Sequence, residues 1–133
     1  MSLYVTDAHA LIWYAAGRTK KLGRRARAVY AAAESGRAVV YVPALALVEV
    51  LEAVRRGDLR VAMPVADWID GLFSTGSFQF AGLTREVIEA GEGLYEIPER
   101  GDRLIAATGV AMDLPLISRD PAISRVPVLD VLW

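Results

Sequence analysis

Cysteine is absent from this sequence, and histidine occurs once, as His9. The first absence excludes disulfides, thiolate metal sites and cysteine nucleophiles. A lone histidine gives no basis for a histidine-rich zinc site. Lysine is scarce too, with only Lys20 and Lys21. No apolar run approaches the ~18 residues that span a bilayer, so no membrane role is expected. No basic-then-apolar leader with a small-residue cleavage site opens the chain, which makes a cytoplasmic protein the expectation. A Gly-rich phosphate cradle is also missing, and nucleotide-dependent phosphoryl transfer loses its support with it. Any bound metal must be held mainly by oxygen, which favours Mg²⁺ or Mn²⁺.

What is present is a large apolar fraction, 54 % of 133 residues, above the ordinary 45–50 %. That argues for a packed sheet with covered faces in one domain over residues 1–133. The net charge of −1 hides an asymmetry. Residues 1–60 balance at +5 and residues 61–133 at −6, and six of the basic residues fall between Arg18 and Arg27.

Short apolar runs alternate with helical periods along the chain. Leu3–Thr6, Ala38–Val42, Ser77–Leu83, Pro115–Ser118 and Val126–Val131 read as strands. Helices are expected over Ala8–Ala16, Leu22–Ser35, Pro43–Arg56, Val65–Phe73 and Thr84–Gly93, then from Asp102 to Met112, with one turn at Pro121–Ser124. In the second helix Leu22, Ala26, Val29, Tyr30 and Ala33 share one face. This alternation predicts an α/β fold with right-handed crossovers: a mainly parallel sheet of about five strands between two helical layers.

Four acids stand where apolar segments end or are interrupted: Asp7, Glu49, Asp102 and Asp120. Parallel sheets bind ligands beyond the carboxyl ends of their strands. Asp7 and Asp120 follow two predicted strands, Asp102 opens a helix, and Glu49 lies about two turns into another. All four can therefore meet at one edge. Converged carboxylates repel unless they take up protons or a cation. With Mg²⁺ they become ligands, suited to metal-assisted hydrolysis of a phosphodiester. Plainer readings stand beside this one. Asp7, Asp102 and Asp120 each suit a helix N-cap. Glu49 can belong to a solvated stripe with Glu52 and Arg56.

The Arg18, Lys20, Lys21, Arg24, Arg25 and Arg27 cluster reads either as a solvated helix face or as a phosphate-backbone contact. Arg103 and Arg119 adjoin two of the acids and can pair with them or with substrate phosphate. His9 suits a helix-start hydrogen bond better than a general base. Ser118 can orient Asp120. Trp13, Trp68 and Trp133 read as packing residues.

Three stretches together resemble the PIN-domain ribonucleases, and among them the VapC-type toxins of toxin–antitoxin pairs. They are Val5-Thr6-Asp7-Ala8-His9-Ala10-Leu11-Ile12-Trp13, Val42–Val50 around Glu49, and Gly101-Asp102-Arg103-Leu104-Ile105-Ala106-Ala107 followed by Leu114-Pro115-Leu116-Ile117-Ser118-Arg119-Asp120. The resemblance implies a Mg²⁺ or Mn²⁺ site in which Asp7, Glu49, Asp102 and Asp120 are the catalytic, metal-holding acids. It also implies RNA cleavage, a cognate antitoxin that blocks the groove, and a homodimer.

The chain departs from the family at two places. Ala8 stands where a hydroxyl residue often follows the first acid, with Thr6 as a candidate replacement. Pro98-Glu99-Arg100-Gly101 replaces the usual stretch before Asp102, which makes Glu99 a candidate accessory acid. Two other functions compete with the toxin reading. One is a PIN-family nuclease in housekeeping RNA processing. The other is a Mg²⁺-binding phospho-acceptor signalling domain, disfavoured because both lysines lie far in sequence from the later acids.

Overall fold

The computed structural model describes residues 1–133. Five parallel strands form one sheet in the order β3-β2-β1-β4-β5. They are β1 (Ser2–Thr6), β2 (Ala38–Pro43), β3 (Phe78–Ala81), β4 (Leu116–Ile117) and β5 (Val131–Leu132). The helices are α1 (Ala8–Ala15), α2 (Arg24–Glu34), α3 (Ala44–Arg56), α4 (Val65–Ser74), α5 (Arg85–Gly91), α6 (Arg100–Met112) and α7 (Pro121–Ser124). They flank the sheet, as the predicted three-layer α/β/α arrangement requires.

The strands are apolar because both faces are covered. Val40, Val42, Leu116 and Ile117 are fully buried, and they join Leu11, Val50 and Ile105 from the helices in one core. On α2 the predicted face is the buried one, with Ala26, Val29, Tyr30 and Ala33 inside. Thr84 caps α5 as expected, accepting from Val87 N–H at 3.2 Å.

Several boundaries differ from the sequence reading. α2 starts at Arg24 rather than Leu22, because Thr19–Lys21 forms a separate 3₁₀ turn. The last strand is confined to Val131–Leu132, since Val126–Leu129 closes a turn with Leu129 N–H donating to Val126 O. Asp102 does not open α6. Its N-cap is Glu99, so the helix begins two residues earlier, at Arg100.

From β1 the sheet grows through β2 and β3 on one side and through β4 and β5 on the other. The carboxyl ends of β1 and β4 therefore flank the switch point, where an open parallel sheet leaves a crevice.

Candidate active site

Asp7 is the residue after β1. Its backbone N–H donates to Ile117 O at 3.0 Å, which ties it to the end of β4. Its carboxylate accepts from Ala10 N–H at 2.9 Å and caps α1. Asp120 caps α7 in the same way, accepting from Ala122 N–H at 2.9 Å. The cap reading and the site reading are thus compatible for these two residues, because one carboxylate has lone pairs enough for both.

Asp102 lies in the first turn of α6. The helix starts instead on Glu99, whose two oxygens accept from Gly101 N–H at 2.9 Å and Asp102 N–H at 2.6 Å. Glu49 projects from α3 toward this turn. Acceptor atoms of Glu49, Glu99 and Asp102 all lie within 4.8 Å of one another. A second group shares Asp102: Asp7, His9, Asp102, Arg119, Asp120 and Pro121 line a cavity of about 230 Å³.

The electrostatics join the two groups. Burial raises the Glu49 carboxyl to about 7, helped by the charges of Asp102, Glu99, Asp7 and Glu52. Burial likewise raises Asp102 to about 6, with the charges of Glu99, Asp120 and Asp7 adding to it. Asp7, 7 % exposed, is also raised, chiefly by burial and slightly by the Asp120 charge. The Ala10 N–H and the Ser118 hydroxyl partly oppose that rise. Glu99 is lowered by its two backbone donors. Asp7, Glu49 and Asp102 are therefore each raised in part by other acids of the site, and the Asp120 charge acts on both Asp7 and Asp102.

This geometry overturns some single-residue readings. Glu49 is not part of a solvated stripe with Arg56: Arg56 pairs with Asp58 at 3.0 Å, and Glu49 is half-buried against α6. Thr6 does not steer the Asp7 carboxylate. Its hydroxyl donates to Asp7 backbone O at 3.2 Å and meets the Tyr30 hydroxyl at 2.6 Å. The hydroxyl near the Asp7 carboxylate is that of Ser118, which also accepts from Asp120 N–H at 3.1 Å. His9 borders the cavity and packs its ring 5.9 Å from Trp13, while Asp7 does the capping.

The basic residues divide. Arg103 pairs with no carboxylate: it stacks over the Tyr95 ring at 4.4 Å and donates to Ile97 O at 3.0 Å, and its charge helps to lower Glu99. Arg119 lines the acidic cavity but pairs with none of its carboxylates. Arg18, Lys20, Lys21, Arg24 and Arg25 are exposed around the 3₁₀ turn and the start of α2, outside the acidic cavity. The absence of a lysine from that cavity weakens the phospho-acceptor alternative.

One residue the sequence reading missed is Gly101. A Cβ there would come within 2.5 Å of Glu49 Oε1 and 3.0 Å of Glu99 Oε2. Its signal was available, since a glycine in a helical first turn between two acids marks a close approach rather than a helix preference.

The site chemistry is a set of hard oxygen donors whose mutual repulsion is only partly offset by neighbouring hydrogen-bond donors. That fits a divalent cation of the Mg²⁺ or Mn²⁺ kind and does not fit a thiolate- or imidazole-seeking metal. A parallel α/β/α fold with an acidic crevice at its topological switch point is the class of protein these observations define. Residues 4–129 match the family model described as the PIN domain, and the chain belongs to that family.

Solved structures share its fold. DNA-bound VapBC from Salmonella typhimurium superposes with a TM-score of 0.70 at 12 % identity, over 99 % of this chain and 98 % of that one. VapBC2 from Rickettsia felis, bound to a promoter DNA fragment, gives 0.69 at 13 % identity, over 98 % of each chain. A toxin–antitoxin complex from Klebsiella pneumoniae gives 0.62 at 18 % identity, over 100 % of this chain and 97 % of that one. No curated protein matches the chain in sequence.

Proposed function

We propose that this protein is a metal-dependent endoribonuclease and the toxin of a type II toxin–antitoxin pair. The observation that carries the reading is that Asp7, Asp102 and Asp120 line one cavity while Glu49 meets Asp102 from α3, with burial and neighbouring acid charges raising Glu49 to about 7 and Asp102 to about 6. Membership of the PIN family supports a nuclease. Likeness in fold to chains from toxin–antitoxin complexes supports the toxin role and a cognate antitoxin as partner.

Asp7, Asp102 and Asp120 would hold Mg²⁺ or Mn²⁺ together with Glu49, and Glu99 lies within reach as an accessory acid. The chemistry supplied there would be acidification of a water molecule and neutralisation of charge developing on a phosphodiester. The protein's part is orientation. Asp7 and Asp120 are held by their helix caps, and Ser118 fixes the loop between β4 and Asp120. The exposed Arg18, Lys20, Lys21, Arg24 and Arg25 suit sequence-independent contact with an RNA backbone. Val48, Met63, Val65, Phe80, Leu83 and Ile88 are large apolar residues left exposed, and they suit burial against an antitoxin or a second copy in a homodimer.

The test is incubation of the purified chain with single-stranded RNA and Mn²⁺. Cleavage that disappears with chelator and in Asp102→Asn supports the reading. Intact RNA at saturating metal overturns it.

A further inference from the structure

Arg119 sits beside Asp7, Asp102 and Asp120 in the cavity wall, where an arginine would ordinarily collapse into a bidentate ion pair. It does not. The molecule's two ion pairs are Arg56–Asp58 and Arg85–Glu89, and neither involves a residue of this cavity. The Arg119 guanidinium carbon lies 4.5 Å from the centre of the Trp13 ring and 5.8 Å from that of Trp133. The two indoles meet edge to face, 5.8 Å apart at 64°.

Trp133 is itself fixed. Its carbonyl accepts from Arg25 N–H at 3.3 Å, and its backbone and ring pack so closely on Gly23 that any Cβ there would collide with them. Stacking uses the face of a guanidinium and leaves its N–H edge available. Arg119 remains exposed, so that edge is open to a ligand in the cavity.

We infer that Arg119 receives a phosphate of the RNA strand at this site, and that Trp13 and Trp133 hold its side chain ready and off the metal-binding carboxylates. The inference rests on the nuclease reading and deepens it. An unclamped Arg119 would neutralise the acids and compete with the cation. A clamped one presents a planar fork that matches two phosphate oxygens. The clamp also links the cavity to the basic turn, because Trp133 is bonded to Arg25, and Lys20, Lys21 and Arg24 lie close by in sequence. A strand crossing Trp133 would meet these charges on leaving Arg119.

The test has two arms, both independent of turnover. In the first, a fluorescein-labelled, 2′-O-methylated single-stranded RNA is titrated at several salt concentrations. Arg119→Gln is expected to weaken binding roughly tenfold, as for loss of a charged hydrogen bond. The slope of log affinity against log salt is expected to fall by about 0.7, the value for one lost phosphate contact on a single strand. An unchanged slope overturns the inference.

In the second arm, Mn²⁺ alone is titrated and followed by water-proton relaxation. Trp13→Leu is expected to weaken Mn²⁺ binding several-fold by releasing Arg119 onto the acids. The Trp13→Leu/Arg119→Gln double variant is expected to restore it. Equal weakening in the single and double variants overturns the clamp. Should Trp13→Leu fail to fold, the RNA titration of Arg119→Gln decides the inference alone. A protein that cleaves no RNA removes the nuclease reading. One that cleaves RNA while Arg119→Gln keeps its salt slope removes only this inference.

Discussion

Gly101 and Glu49 are in closer contact than any side chain at position 101 would allow. A Cβ on Gly101 would lie 2.5 Å from Glu49 Oε1, with Glu99 Oε2 a further 0.5 Å out, at 3.0 Å. The missing side chain is what lets α3 bring its carboxylate to the first turn of α6. Gly101→Ala is expected to displace Glu49 and weaken Mn²⁺ binding about 10- to 100-fold, the usual range for disturbed metal-site support. In an undisturbed helix the same change would add roughly 0.5–1 kcal/mol of stability. Mn²⁺ titration alongside thermal melting separates the two effects. Unaltered Mn²⁺ affinity would show that Glu49 is not a ligand.

Asp102→Asn removes a charge that both Glu49 and the site as a whole repel. The metal-free variant is expected to melt at a higher temperature than the wild type, because a partly buried like-charge contact is relieved. RNA cleavage should fall by roughly a hundredfold or more, as for loss of a principal electrostatic group. A variant both less stable and fully active would contradict this account of the site.

The site also fixes how stability depends on pH. Glu49 and Asp102 titrate at about 7 and about 6 when folded, above their ordinary values of 4.5 and 3.8. The folded state therefore binds these protons more tightly than the unfolded chain. The stability they contribute is complete below their unfolded values and is lost as pH rises through about 6 and about 7. Differential scanning calorimetry on the metal-free protein should show the melting temperature falling across that window. Saturating Mn²⁺ should reverse the fall, since it binds only the deprotonated site. A melting temperature that climbs with pH in the absence of metal would refute the shifts.

Glu99 has two separable tasks. Glu99→Ala leaves Gly101 and Asp102 N–H without their acceptor and is expected to cost about 1 kcal/mol of stability by urea unfolding. Glu99→Gln keeps one acceptor oxygen but removes the charge. If Glu99 helps hold the metal, the Gln variant should lose Mn²⁺ affinity while keeping most of its stability. Wild-type affinity in Glu99→Gln would confine Glu99 to its cap.

Toxin and housekeeping nuclease diverge in the cell rather than in the test tube. Expression without an antitoxin should arrest growth, and Asp7→Asn should abolish the arrest. Normal growth at a demonstrated level of active enzyme would favour RNA processing instead.

Much of the architecture was readable because its signals are local. A run such as Val39-Val40-Tyr41-Val42 reads as a strand whatever surrounds it, and the buried face of α2 follows a 3.6-residue period. Boundaries set by competition were not readable. Glu99 rather than Asp102 caps α6, its two carboxylate oxygens taking the N–H groups of Gly101 and Asp102 ahead of it. The stripe reading of Glu49 had the same weakness: spacing along α3 says which residues share a face, not what that face meets.

By itself the sequence determined the class of donors and the strand–helix alternation. With no cysteine, one histidine and four acids at apolar junctions, oxygen is the chain's main donor for any metal, which favours a hard cation. Only the tertiary structure decided which acids meet, because β4 inserts beside β1 at the switch point and brings Asp120 to Asp7 across more than a hundred residues. It also decided the fate of the arginines beside the acids. Arg103 turns to Tyr95 and Arg119 to Trp13, since contact with a ring face depends on packing that no residue spacing records.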